Sequence, residues 1–263
     1  MPPPATLILG GTSEARELAG RLVADGLAVT SSLAGRVADP ALPAGTVRIG
    51  GFGGPDGLTD YLRRQRFAVV VDATHPFAAT ISASAVVACA AAAVPLLRLA
   101  RPGWARHPCA DRWRWVDSYP AAARAAAELG SRIFLTTGRS TLSHFAVLGS
   151  SYVLVRLVDP ADDALPAGWR VIRSRGPYAV EGERRLMAEH GIDVLVTKDS
   201  GGDLTAPKLT AAVESGVRVV VVRRPADPVG APHVSTVEEA VEWVHQAHAN
   251  RSGDPVGRAR PGA

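Results

Sequence analysis

The chain has 263 residues, 47% hydrophobic and 21% charged, with a formal net charge of +4 and an isoelectric point near 9.5. That length holds one large domain or two mid-sized ones around a sizeable core. The charge excess is mild, and about half of it lies in the last residues, where Arg251, Arg258 and Arg260 face Asp254. With only 5% aromatics there is no sign of a base-stacking surface, so a nucleic-acid partner is not expected.

Residues 6–9 read as a short apolar strand, followed by Ala15, Leu18, Ala19, Leu22 and Val23 at helical spacing. Strands are expected at 28–32 and 46–49 and a helix at 56–65. The run FAVVVDA, 67–73, suits a strand buried on both faces. The Ala- and Ser-rich run 77–94 approaches the length of a membrane span, but lies between two strands and reads as a buried crossover helix, so no membrane partner is expected. A strand at 96–99 follows. The aperiodic, proline-containing stretch 101–113 reads as a connection between domains, with an extra strand at 113–116 and an Ala-rich helix at 121–129.

The second half repeats the order of the first, with strands at 132–136, 152–157, 170–173, 193–197 and 217–223 and helices at 179–190, 208–215 and 236–249. Alternating elements with Val-rich strands imply an α/β protein with parallel sheets. The expected division is a Rossmann-like domain over 1–105, a second over 113–249, and a disordered tail over 250–263. Cys89 and Cys109 form neither a CxxC nor a metal-ligand spacing, His245 and His248 lack a third ligand, and no metal is expected. The opening MPPPATLIL has no basic n-region, and a cytoplasmic location is expected.

In a doubly wound sheet, ligands bind beyond the carboxyl ends of the first and fourth strands. That rule selects four loops: GGTSE at 10–14, DATHPF at 72–77, TTGRST at 136–141 and TKDSGG at 197–202. Paired Gly10 and Gly11 permit a tight turn, and Thr12 or Ser13 can cap the next helix, whose free N–H groups favour a phosphate. Glu14 works against that. The second strand ends without an acid, and Arg36 beyond it could meet a 2′-phosphate, which favours NADP over NAD. His75 could orient a nicotinamide or donate a proton. Only two of the 29 basic residues are lysines, Lys198 and Lys208, and both sit in or beside the fourth loop. A compact ammonium can meet an anion and can lose its proton when desolvated, which arginine does poorly. Gly201 and Gly202 would let the backbone approach a ligand. Arg139, Arg173, Arg175 and both lysines gather on one rim, suggesting a polyanionic ligand.

The motifs LILGGTSEARELA, DATHPFA, LLRLARPGW, TTGR, SRGPY and LVTKDSGG…PK occur in this order over residues 6–224. Together they resemble the precorrin-6A reductase family of cobalamin biosynthesis. The resemblance implies two Rossmann-like domains with parallel sheets facing across a cleft, with the option of a strand exchanged between them. It implies hydride transfer from NADPH to a ring carbon–carbon double bond of a polycarboxylate tetrapyrrole, precorrin-6A, giving precorrin-6B, by a monomer or homodimer. On that basis Gly10, Gly11, Thr12, Ser13 and Arg36 bind NADPH, and Asp72, Thr74 and His75 line the nicotinamide pocket. Arg139, Arg175, Tyr178, Lys198, Ser200, Gly201 and Lys208 hold substrate or share in phosphate binding. His75 or Lys198 supplies the proton. Three alternatives stay open: the same reduction of the cobalt-containing ring, a non-catalytic NADP(H) sensor, and a nucleotide-sugar or phosphate-ester enzyme.

Overall fold

The structure, a computed structural model, describes residues 5–35, 42–161 and 164–252. In chain order the elements are β1 (Ala5–Leu9), α1 (Ser13–Ala24), β2 (Ala28–Leu33), β3 (Thr46–Ile49), α2 (Gly54–Gln65), β4 (Val69–Asp72), α3 (Ala79–Ala92) and β5 (Leu96–Leu99). There follow β6 (Arg114–Val116), α4 (Tyr119–Leu129), β7 (Arg132–Leu135), β8 (Tyr152–Leu157), β9 (Trp169–Arg173) and α5 (Val180–Glu189). The chain ends with β10 (Val194–Lys198), α6 (Pro207–Glu214), β11 (Arg218–Val222), β12 (His233–Val234) and α7 (Val237–Ser252).

These elements make two units, each built on a six-stranded sheet. The first sheet runs β12-β5-β4-β1-β2-β3 and every pairing in it is parallel. Successive residues of a strand point to opposite faces. Ile8, Val69 and Val71 therefore pack with α1 and α7, while Leu7, Leu9 and Val70 pack with α2 and α3. Helix α3, rich in alanine and serine, is not buried on all sides. Ser82, Ala85, Ala88 and Cys89 face the sheet, and Val87 is exposed. The expected crossover helix is present between β4 and β5, buried on the face it turns to the sheet. No helix among the described residues is long and apolar enough to cross a membrane.

The second sheet runs β6-β11-β10-β7-β8-β9, again all parallel. Phe134, Leu154, Leu195, Val219 and Val221 pack with Met187 of α5 and Leu209, Ala211 and Ala212 of α6. Trp104, Ala110 and Trp113 join this core. The stretch read as a connection is thus part of the second unit, which begins at Pro102.

The sixth strands are exchanged. β6 follows β5 in the chain but pairs with β11, whereas β12 follows β11 but pairs with β5, His233 opposite Arg98 and Val234 opposite Leu99. The expected second domain, running to residue 249, needs correction: from Pro225 onward the chain belongs to the first unit. The reason is packing. Val237, Ala240, Val241 and Val244 bury against the β1–β4 face of the first sheet. Polar pins fix the register: Arg251 Nη1 donates to the Phe67 and Ala68 carbonyls, and His245 pairs with Asp25. Residues 253–263, most of the expected tail, lie outside the described residues.

His248 of α7 is buried and bonds the buried Thr6 hydroxyl through Nε2 at 2.8 Å. Burial, then the nearby charges of His245 and Arg251, hold its pKa below the usual histidine value. An unfolded chain therefore takes up this proton first. The associated stability is present above about pH 6.5 and is lost as pH falls below it. Denaturant midpoints are expected to drop as pH falls below about 6.5, ahead of most carboxylate titrations. His248→Gln should flatten that slope, and an equal slope in the variant would exclude His248 as its source.

Candidate functional site

The carboxyl ends of the first unit's strands bring three loops together. After β1, Gly11 takes a φ of 114° with open space where a side chain would stand, so the turn needs glycine and is bare on its outer side. Thr12 caps α1: its Oγ1 accepts from the Ala15 N–H at 3.1 Å and donates to the Ala73 carbonyl at 2.8 Å. That second bond ties the β1 loop to the β4 loop. It also turns the Thr12 hydroxyl inward, so only its main chain can meet a ligand. Ser13, half-buried, donates to Glu14 Oε2. Arg101, just beyond β5, grips both Glu14 oxygens through Nη1, at 2.9 and 2.7 Å. Burial alone would raise the Glu14 pKa, but the bonds and charge of Arg101 outweigh it and the net displacement is downward. The acid that seemed to oppose a phosphate at this helix start is thus a neutralised pair, and the dipole and first-turn N–H groups keep their attraction for an anion.

The β4 loop departs from expectation. Asp72 is 2% exposed. Its Oδ1 accepts from the Thr74 N–H at 3.1 Å, the Thr74 hydroxyl at 2.7 Å and Arg98 Nη1 at 2.8 Å. Arg98, from the middle of β5, also donates to the Thr74 hydroxyl and to the Asp72 and Thr74 carbonyls. Asp72 and Thr74 therefore build the loop from inside, and their side chains do not line a pocket. His75 is the residue this frame presents. Its Nδ1 accepts from the Phe77 N–H at 3.1 Å, so the neutral ring carries its proton on Nε2. Arg36 lies outside the described residues.

In the second unit, Thr136 donates to the Val196 carbonyl, joining β7 to β10. The buried Thr141 hydroxyl lies within hydrogen-bond distance, 2.8 Å, of both Thr137 Oγ1 and the Gly138 carbonyl. No α-helix follows this loop; Arg139–Leu148 winds as 3₁₀ turns. The Thr136 and Thr141 hydroxyls are thus internal ties. Arg139, half-buried, reaches the Pro160 carbonyl at 3.4 Å.

Lys198 ends β10, half-buried, and a Cβ placed on Gly138 would lie 3.9 Å from its Nζ. The first and fourth loops of this unit therefore meet at the Lys198 ammonium. Burial lowers its pKa to about 8. Ser200 follows, its N–H donating to the Lys198 carbonyl. Gly201, expected to admit a ligand, admits the chain itself: φ is 66°, and a Cβ there would stand 2.1 Å from the Pro102 carbonyl oxygen. Lys208, in the first turn of α6, is buried and donates to the Thr205 carbonyl at 2.8 Å, closing its own loop. Tyr178 donates to the Ser174 carbonyl and lies under the Arg156 guanidinium, 4.1 Å from Cζ to ring centre. Arg175 is exposed after β9. β8 and β7 separate β9 from β10, so the ends carrying Arg175 and Lys198 are about 14 Å apart at about 4.8 Å per strand.

Sequence reasoning missed the carboxylate partners. Asp199 accepts from the Trp104 N–H at 2.6 Å and pairs with Arg224 at 3.2 Å, fixing the Lys198 loop against residues 102–104. Arg156 pairs with Glu183 at 2.8 Å inside the unit. A charged residue inside an apolar strand, as in LLRL or YVLVRL, was the available signal, because a buried charge requires a partner.

Comparison with known proteins gives a consistent picture. The family model described as precorrin-6x reductase CbiJ/CobK matches residues 5–245. A precorrin-6A reductase from Rhodococcus erythropolis is 48% identical over 239 residues, covering 90% of this chain and 96% of the relative. A cobalt-precorrin-6A reductase from Priestia megaterium is 33% identical over 249 residues, covering 89% and 96%. A solved structure of CobK precorrin-6A reductase superposes with a TM-score of 0.87 at 39% identity, over 93% of this chain and 97% of that one.

Proposed function

The chain belongs to the precorrin-6x reductase family, and from that premise we propose that it reduces a ring carbon–carbon double bond of precorrin-6A with NADPH, giving precorrin-6B. Reductases of this family use a nicotinamide cofactor. The observation that carries the reading is the near end-to-end likeness to precorrin-6A reductases, at 48% identity over 96% of one of them. The relative named for the cobalt-containing ring is more distant, at 33%, which favours the metal-free substrate.

The residues fit a nicotinamide dinucleotide in the first unit. The Gly10–Gly11 turn, bare at Gly11, and the Ser13 end of α1 receive the pyrophosphate, with Glu14 neutralised by Arg101. Bound there, NADPH supplies the hydride. His75 presents Nε2–H to the nicotinamide side, held by the Asp72–Thr74–Arg98 frame. In the second unit Lys198, Arg139 and Arg175 offer separated cations. A spread of about 14 Å between strand ends suits a macrocycle carrying several carboxylates better than one phosphate. Reduction adds a hydride and a proton across the double bond, and Lys198, as a half-buried ammonium, is the donor we assign. Ser200 supports the Lys198 turn through its main chain, and Lys208 holds the following loop.

Anaerobic incubation with NADPH and precorrin-6A tests the proposal. Nicotinamide absorbance and the macrocycle's visible band should fall in step, and NADH should substitute poorly. An unchanged ring would send the test to the cobalt-containing substrate. Cofactor binding with neither ring reduced would refute the enzyme reading and favour a sensor.

A further inference from the structure

Each of the buried or half-buried arginines Arg98, Arg101, Arg156 and Arg224 meets a carboxylate. Arg48 of β3 is half-buried and meets none among the described residues. Its Nη1 donates to Ser32 Oγ at 3.2 Å and the Gly50 carbonyl at 2.5 Å, and its Nη2 donates to the Gly51 carbonyl at 2.6 Å. The guanidinium carbon stands over Phe52, 3.9 Å from the ring centre, with the Tyr61 ring centre at 5.2 Å. A cation is thus held by neutral acceptors and a ring face, with no carboxylate partner among the described residues.

The location gives this charge a meaning. Ser32 and Arg48 are partners in the β2–β3 ladder, at the carboxyl end of β2. In Rossmann sheets that end meets the adenosine ribose, where an acid selects the 2′-hydroxyl and an arginine accepts a 2′-phosphate. β2 ends Ser31-Ser32-Leu33, with no acid to repel a phosphate. Beyond Arg48, Gly50, Gly51 and Gly53 have open space where side chains would stand. Nε–H and the second Nη2 hydrogen take no acceptor among the described residues, which leaves a two-pronged donor of the kind that fits a phosphate.

We propose that Arg48 reads the 2′-phosphate of the cofactor and sets the preference for NADPH over NADH. This rests on the nicotinamide-cofactor reading above. It gives the selecting role to a residue of β3, ahead of the loop residue Arg36.

Calorimetric titration with 2′,5′-ADP and with 5′-AMP separates this role from loop support and needs no tetrapyrrole. The full chain should bind 2′,5′-ADP at least about tenfold more tightly than 5′-AMP. Arg48→Gln should abolish that advantage while 5′-AMP affinity stays within about twofold. Arg48→Lys, which keeps the charge but not the fork, should retain part of it. An undiminished advantage in Arg48→Gln, or its loss in Arg36→Ala alone, would overturn the assignment to Arg48. An equal fall for both fragments in both Arg48 variants would make the residue a loop support and overturn it as well. If the unaltered chain binds neither fragment, nor NADPH, the cofactor placement itself fails and Arg48 goes with it.

Discussion

Lys198→Ala is expected to lower kcat/KM for precorrin-6A and NADPH about ten- to a hundredfold, or about 1.4–2.7 kcal/mol of transition-state stabilisation. The side chain is at the meeting point of two loops, close to Gly138, and desolvation brings its pKa down to about 8. Desolvation disfavours the charged form, so the displacement is downward for an ammonium. At pH 7 such a group is still about nine-tenths protonated. It can hold a carboxylate, and it gives up a proton more readily than an ordinary lysine. The pH profile of kcat/KM should therefore fall on the alkaline side with an apparent pKa near 8. A break in the ordinary histidine range, about 6.5, would assign the proton to His75 instead. Lys198→Arg separates charge from proton transfer. If Lys198 only anchors substrate, the arginine variant keeps most of kcat and loses the alkaline limb. If it donates the proton, kcat falls as far as in Lys198→Ala. An unchanged kcat/KM in Lys198→Ala would remove the loop from the reaction.

Lys198 was legible in the sequence because it is an oddity at a position the topology already marks. The alternation of Val-rich strands and helices was equally legible: VVVD of β4 and RVVVV of β11 can only be strands buried on both faces. The exchange of sixth strands was expected only through the family resemblance, as an option, and not from any local pattern. His233–Val234 is a two-residue strand whose pairing depends on which sheet edge lies open, and no local pattern encodes that. The side-chain directions at the site were also hidden. Thr12, Asp72 and Thr74 stand where ligand-binding residues belong, but a polar side chain at a strand end reads the same whether it faces a ligand or the chain. Gly201 shows the same ambiguity for backbone. A positive φ and a close approach were foreseeable from two adjacent glycines, but the partner, the Pro102 carbonyl, was not.

Arg98→Met is expected to destabilise the first unit by about 3–5 kcal/mol, the range for removing one partner of a buried pair. Both side chains of the Arg98–Asp72 pair are almost fully enclosed, at 3% and 2% exposure. Truncation would leave the Asp72 carboxylate without its counterion and the Asp72 and Thr74 carbonyls without a donor. The second arm of Arg98, to Asp227 at 3.2 Å, is different because Asp227 is 43% exposed. Asp227→Asn should therefore cost no more than about 1 kcal/mol. The double variant Arg98→Met with Asp72→Asn tests the cause. Removing the stranded charge should recover a substantial part of the loss, whereas a purely steric role would make the two substitutions additive. Denaturant midpoints for the two single variants and the double variant suffice, and a loss below about 1 kcal/mol in Arg98→Met would refute the argument. The position matters beyond stability. Arg98 donates its N–H to the Pro232 carbonyl at the start of the β5–β12 pairing, while its side chain holds the loop that presents His75. The same residue thus couples the returning segment to the shape of the candidate nicotinamide pocket, and a variant that loosens it should lose cofactor affinity in proportion to the stability it loses.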